Sequence, residues 1–584
     1  MRLTNVAHLR LPFGRLLGYD LTVGPRQDSV PVSFDQRRHV ARGSRPGSWM
    51  AITVRLPTVD LDELADAWLA VVARHGTLRT VFSPGRDGPL LHDHAMSAGS
   101  WVEHRVETGE SVNEALRSVL DAFCGSTARP SHRLCVLLSD DRPTLVIAAD
   151  HAHVDMWSLL VVVRDLLRSL ADPAGAAAAP PVRPFADHTA ALRAREPAPD
   201  EVRQRWHDII AASGDVMPVF PMPLGDIALP VLERVEVRDL LDVDENAFLA
   251  RHAAEQGVSA LALVVSVMTD VTWRLARAPL RAVFPVHSRY EEAWHDSVGW
   301  FITNSVLESD DPLPPAAAAA VKEAVRLGSW PLEDVLEPWG DMPEGPGMFA
   351  ISWLDLRRLP VRVDHVGLEA QYVSAAGRAD GVMVWFILDE SGLHLRCRYP
   401  DTDEARRSVG SWLDALVRGV RSLAGSTGTV LEVSGERLRV DRARRSDVRA
   451  IVAMLASDAI GATRESADVA DYDEAFDALD RDPAQFLAVV RDDAGHIVAT
   501  AQLTIIPGLA RTGATRLQVE AVRVAEEWRS RGLGSAFLDW VHEYGRARGA
   551  VLSQLTTDSS RTDAHRFYAR LGYEPTHVGF KKHL

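Results

Sequence analysis

Two observations predict an α/β (α+β) fold class for this chain. Strand-like and helix-like patterns alternate from residue 48 onward, and two stretches of broken composition part the chain into pieces. At roughly 150 residues per domain, 584 residues suggest about four domain-sized units. The pattern itself divides the chain into three stretches, 1–172, then 173–423 opening with a linker, then 438–584.

Residues 48 to 56 (SWMAITVRL) read as a strand. The helix that follows begins at Leu61, with Asp60 as N-cap and apolar residues recurring at three and four (LDELADAWLAVVARHG). LCVLLSDDRPTLVIAAD, from Leu134, reads as two strands around an Asp-Asp turn. WSLLVVVRDLLRSLAD then continues as an apolar helix, so the intervening AADHAHVDMWS (148–158) lies at a strand end, where a side chain can face a cleft. Residues 172–200 are dense in Pro and Ala, which break regular structure before a short helix. A helical pattern at 258–268 and strand-like VMVWFIL and LHLRCRY carry the second piece to about 423, and AGSTGTVLEVSGER (424–437) reads as a boundary. In the last piece RLQVEAVRVAEEW, from Arg516, alternates as a strand. A glycine-rich turn then opens a helix with Leu533, Phe537, Trp540 and Tyr544 as a buried stripe.

Composition excludes several functions. Apolar residues at 46% and charged residues at 25% are those of a globular chain. A net charge of −16 opposes binding to phosphate backbones, so no nucleic acid is expected. Cys124, Cys135 and Cys397 are too few and scattered for a disulfide framework or a thiolate metal site, and no zinc-like ligand set is present. The sequence has no leader pattern and no run near ~20 apolar residues, so the expected location is cytoplasmic, with no membrane partner.

Two places carry chemistry. A histidine is neutral enough at pH 7 to take a proton from an attacking amine or hydroxyl, and His151 has an aspartate, Asp155, four residues on to fix the turn or pair with an arginine. His153 is an alternative base, since alternation along an extended segment puts it on the same side as His151. An acidic neighbour, Asp150, tends to raise the pKa of His151. In the last piece, a strand feeding Arg529-Ser530-Arg531-Gly532-Leu533-Gly534-Ser535 into a helix presents unpaired N–H groups and a positive dipole end, a cradle for pyrophosphate. Glu520, on that strand, is a candidate base for an amine.

The stretch Asp150-His151-Ala152-His153-Val154-Asp155-Met156 resembles the histidine core motif of the condensation-domain superfamily, which includes chloramphenicol acetyltransferase-like acyltransferases. SFDQRR (33–38), LRTVF (78–82), FPVHSR (284–289) and VGWFITNS (298–305) match in the same order. The resemblance covers about residues 30 to 423 and implies a two-lobed fold with a tunnel. It also implies His151 as the functional histidine and Asp155 as a structural residue paired with Arg289. Asp150 replaces the first histidine of that motif and Met156 its usual glycine. Residues 438–584, with R-x-x-G-x-G, VLSQLTT and TDAHRFYARLGY, resemble the GNAT superfamily of acyl-CoA-dependent N-acyltransferases. That likeness implies acetyl-CoA or another acyl-CoA as co-substrate, held by Val522, Arg523 and Val524 and by the Arg529–Ser535 loop. Tyr568 matches the tyrosine that protonates the departing thiolate.

Together the resemblances imply a bifunctional acyltransferase of natural-product, nonribosomal-peptide-type biosynthesis, acting on a small-molecule amine or alcohol. The first donor is CoA or a carrier protein with a phosphopantetheine-bound thioester. The alternative reading makes the condensation-like domain a docking module and the GNAT domain the one enzyme.

Overall fold

A computed structural model describes residues 2–43, 45–375, 377–424, 426–457, 470–482, 484–580 and 582. The chain divides into two compact units, Met1–Val243 with Gly257–Val417, and Asp244–Gln256 with Arg418–Leu584.

Among the described residues the first unit holds an eight-stranded and a seven-stranded sheet. The first runs in the order Arg2–Asn5, Gln371–Ser374, Trp49–Arg55, Thr144–Asp150, His132–Leu138, Arg15–Val30, Leu90–His104 and Thr80–Ser83. The His132–Leu138 and Thr144–Asp150 strands pair antiparallel near its middle. Alternation sends Leu134, Val136, Leu145 and Ile147 into one core and Cys135, Leu137, Val146 and Ala148 into the other, which is why both strands read as unbroken apolar runs. The Leu61–Arg74 and Met156–Ala171 helices pack on the first of these cores and Val112–Phe123 on the second. Asp60 caps the first helix by accepting from the N–H groups of Asp62 and Glu63 at 2.9 and 3.0 Å.

The second sheet runs Val306–Ser309, Leu280–Val283, Phe349–Asp355, Val382–Asp389, Gly392–Pro400, Val231–Leu241 and Arg378–Ala379. The two sheets are not built from separate stretches of chain. Gln371–Ser374, from the later piece, runs antiparallel to Trp49–Arg55 and parallel to Arg2–Asn5 inside the first sheet.

In the second unit the strands lie in sequence order: Ser426–Val433, Glu436–Arg442, Gln485–Arg491, Ile497–Ile506, Thr515–Val524 and Ala550–Leu555. The stretch read as a boundary at 424–437 is therefore the first hairpin of this sheet. Ser434 and Gly435 both take left-handed φ, 53° and 83°, the two-residue turn that suits twisted antiparallel strands. One face packs on Leu533–Ala547 through Leu517, Val519, Phe537 and Val541. The other packs on Val448–Leu455 and Ala470–Arg481 through Val489, Ile451 and Phe476.

Candidate active sites

The Thr144–Asp150 strand ends in a turn, His151 to His153, that leads to the Asp155 cap of the Met156–Ala171 helix. Because the segment turns, alternation does not apply, and His153 does not share the surroundings of His151. His153 is buried, lies edge-on to Phe82 at 5.2 Å, and places Nε2 3.2 Å from the Thr80 carbonyl oxygen.

His151 is partly exposed, and its ring stacks on Trp300 at 4.2 Å and 21°. Its Nδ1 lies 3.0 Å from the Val154 carbonyl oxygen. A carbonyl can only accept, so Nδ1 carries the proton and Nε2 keeps the lone pair that a base needs. Burial pushes the His151 pKa down, and the nearby His39 adds to this. Asp150 acts on the ring in the expected direction, upward, but burial and His39 outweigh it. That carboxylate, fully buried, accepts from Ser48 Oγ at 2.5 Å and Ala152 N at 2.9 Å and lies 3.1 Å from His39 Nε2. Burial would raise Asp150 itself, but His39 and Ser48 outweigh it and hold it low.

The structure brings Asp155 and Arg289 together out of water. Asp155 Oδ2 accepts from Arg289 Nη1 at 2.7 Å and Phe301 N at 3.1 Å; Oδ1 accepts from Ser158 N at 2.7 Å and Arg289 Nη2 at 3.2 Å. Nη2 also donates to Ser158 Oγ and the Ser297 carbonyl. Burial alone would raise the Asp155 pKa, but Arg289 and these donors hold it below the usual carboxylate range. The segments quoted in order along the chain meet here. Gln36 Nε2 donates to the Ala152 carbonyl at 2.8 Å, Ser158 Oγ to the Gly299 carbonyl at 2.9 Å, and Thr77 Oγ1 to the Val298 carbonyl at 2.6 Å. Sequence reasoning missed His39, Ser48 and the stacking role of Trp300; the last two segments that hold them were visible only as words without partners.

In the second unit, Ala521 takes a left-handed φ of 53° and the register slips between Thr500 and Gln502, a β-bulge that takes residues near 521 out of the ladder. Pairing with Ala550–Leu555 ends at Val519 and Leu555, so the parallel strands part beside Glu520 and Val522. Ser530 and Gly532 turn the chain with φ of 60° and 94°, and the Leu533–Ala547 helix starts without a side-chain cap. Its first N–H groups are thus left for a ligand. A Cβ on Gly534 would stand 3.2 Å from the Phe567 ring, a tight contact that the ring would have to yield to. Arg523 donates to the Val522 carbonyl and Arg529 to that of Val524, while Arg531 pairs with Glu436 at 2.5 Å. These residues fit a diphosphate: free N–H groups, a dipole end and arginines held beside them.

Tyr568 is partly buried on Thr562–Arg570, and its hydroxyl has no hydrogen-bond partner among the described residues. Burial raises its pKa, which keeps the proton in place. Its neighbour Tyr573, missed from sequence, bonds to Ser553 Oγ at 2.7 Å and His542 Nε2 at 2.9 Å. Glu520 is exposed opposite Gln502.

A lone-pair imidazole on a buttressed turn and a separate uncapped helix start are the two places that carry chemistry, and the family matches put the chain in the acyl-transfer class. The chain belongs to the condensation-domain family: that family's model, described as Condensation domain, matches residues 26–321, and the Acetyltransferase (GNAT) family model matches residues 452–573. The probable non-canonical nonribosomal peptide synthetase CymA of Salinispora arenicola is 26% identical over 339 residues, 54% of this chain and 4% of CymA, so the chain spans a small part of such relatives. Acyltransferase PapA3 of Mycobacterium tuberculosis is 23% identical over 66% of this chain and 88% of its own. The aminoalkylphosphonate N-acetyltransferase of Salmonella typhimurium is 40% identical over 67 residues, 12% of this chain and 44% of its own. The solved PapA2 acyl transferase shares the fold at a TM-score of 0.64, with 19% identity over 73% of this chain and 100% of its own. Among the described residues no single helix is long and apolar enough to cross a membrane, and no group of three His, Cys, Asp or Glu is placed to hold a metal ion.

Proposed function

We propose that the chain is a bifunctional acyltransferase of natural-product assembly. In the condensation domain His151 Nε2 takes the proton of an amine or hydroxyl as that group attacks a thioester, presented by CoA or by a carrier protein. The observation that carries this is the Nδ1 to Val154 contact at 3.0 Å, which fixes the tautomer. Asp155 and Arg289 hold the turn rather than meet substrate.

In the GNAT domain the cradle at Arg529–Ser535 binds the diphosphate of acetyl-CoA or another acyl-CoA, which supplies an activated thioester. Glu520 takes one proton from the acceptor ammonium. The free amine attacks the thioester carbon, a C–N bond forms as the C–S bond breaks, and the thiolate takes the Tyr568 hydroxyl proton. The proton shed by the new amide nitrogen restores Tyr568 through solvent. Holding both reactants in place supplies much of the rate, so no covalent enzyme intermediate is required.

The test is mass spectrometry of products made by the full chain from acyl thioesters and candidate amines, with coenzyme A release followed separately. His151→Ala should lower condensation product by about 10²- to 10⁴-fold while coenzyme A release from acetyl-CoA continues. Unchanged condensation product would make the larger domain a docking module.

A further inference from the structure

On the acetyl-transfer reading of the second unit, one face of its sheet bears on what the acceptor carries besides its nitrogen. Leu517 and Val519 bury against the Leu533–Ala547 helix, so alternation puts Arg516, Gln518 and Glu520 on the opposite face. Across the strands at one register stand Gln485, Thr504, Gln518 and Gln554. Gln554 Nε2 donates to Gln518 Oε1 at 2.7 Å, and Thr504 Oγ1 and Gln502 Nε2 donate to Gln485 Oε1 at 2.9 and 3.1 Å. The row is neutral, partly buried and rich in hydrogen-bonding groups.

Opposite charges stand on either side of this row. Arg516 is partly buried and Glu520 exposed, and neither side chain makes a hydrogen bond or ion pair with a described residue. An Arg516 guanidinium that no described carboxylate engages is left to meet an anion on a ligand. The two Cα atoms are four residues apart on one strand, about 13 Å at ~3.3 Å per residue, a span that two long side chains leaning inward can shorten. Glu520 adjoins the bulge and the parting of the strands, where the transfer would occur.

We propose that the acceptor is a zwitterion, its primary amine at Glu520 and an oxyanionic group, carboxylate or phosphonate, at Arg516, with the atoms between them hydrogen-bonded to the amide row. Arginine suits either oxyanion because its fork donates two parallel bonds.

The full chain is assayed for coenzyme A release from acetyl-CoA with 3-aminopropanoate, 6-aminohexanoate, 3-aminopropylphosphonate and propylamine. A zwitterion should exceed propylamine at least tenfold in kcat/KM, and the ranking among the acids separates carboxylate from phosphonate and sets the span. Arg516→Gln should bring the ratio toward one by raising KM for the acids, and Arg516→Lys, which keeps the charge, should retain most of it. Propylamine turning over as well as every acid, or a preference that survives in Arg516→Gln, overturns the inference alone. No turnover of any amine overturns the transfer reading and this inference with it.

Discussion

Asp155→Ala removes the acceptor of four hydrogen bonds and leaves a cation in the interior. The Arg289 side chain has 0% of its surface exposed, and after the substitution it keeps Ser158 Oγ and the Ser297 carbonyl as partners but no countercharge. Breaking a buried ion pair from one side costs about 3–5 kcal/mol, and losing the helix N-cap adds about 1 kcal/mol. The expected loss, roughly 4–6 kcal/mol, is comparable with the whole stability of many domains, about 5–15 kcal/mol. Asp155→Ala with Arg289→Met removes the stranded charge as well. The double variant should therefore recover at least ~2 kcal/mol relative to Asp155→Ala. Scanning calorimetry of the full chain reads this. The two compact units can give two transitions, and Arg289→Met alone identifies the one that belongs to the first unit. A loss under about 1 kcal/mol in Asp155→Ala, or losses that simply add in the double variant, would refute the buried-pair reasoning.

Two further outcomes follow from the same geometry. Burial holds the His151 pKa below its ordinary 6.5, so the base form already dominates at neutral pH. The condensation rate should stay flat from pH 8 to about 6.5 and fall only below that, whereas a fall already under way near pH 7.5 would assign the base to another group. Gly534→Val puts a branched side chain where even a Cβ would stand 3.2 Å from Phe567, beside the first N–H groups of the helix. Calorimetric titration should show acetyl-CoA affinity weakened by more than about tenfold, since the diphosphate loses its approach to those donors; a value within twofold of the parent would place the coenzyme elsewhere.

What was legible in the sequence is what short range encodes. The Leu61–Arg74 helix and the strands flanking residues 139–143 announce themselves because each buried position repeats at the period of its element. The hairpin at 426–442 was hidden by its Gly, Ser and Thr, although Leu431 and Val433 are buried in alternation with exposed neighbours. Gln371–Ser374 could not be placed at all: four residues carry no usable period, and their partners lie more than 300 residues away. The sites divide the same way. His151 and Asp155 lie within one motif, but His39 reaches Asp150 from the Phe34–Ala41 helix, and Trp300 reaches His151 from far along the chain. Nothing local signals such meetings.

The two departures from the family motif, Asp150 and Met156, are the sequence features that would support a docking role for the larger domain, and their surroundings bear on that choice. An aspartate beside a base threatens it only if its upward pull outweighs what lowers the pKa of the ring. Asp150 accepts from Ser48 and Ala152 and lies beside His39, and burial together with His39 keeps the His151 pKa low despite it. A glycine after the motif aspartate matters if the backbone there must turn left-handed. Met156 is the first residue of a right-handed helix, its carbonyl accepts from Tyr372 at 2.5 Å, and its side chain packs on the core. Neither change removes the lone pair from His151 Nε2 or the carboxylate from Arg289. A docking role for this domain would need some other cause, such as a blocked approach to His151, and His151→Ala distinguishes the two by whether condensation product falls.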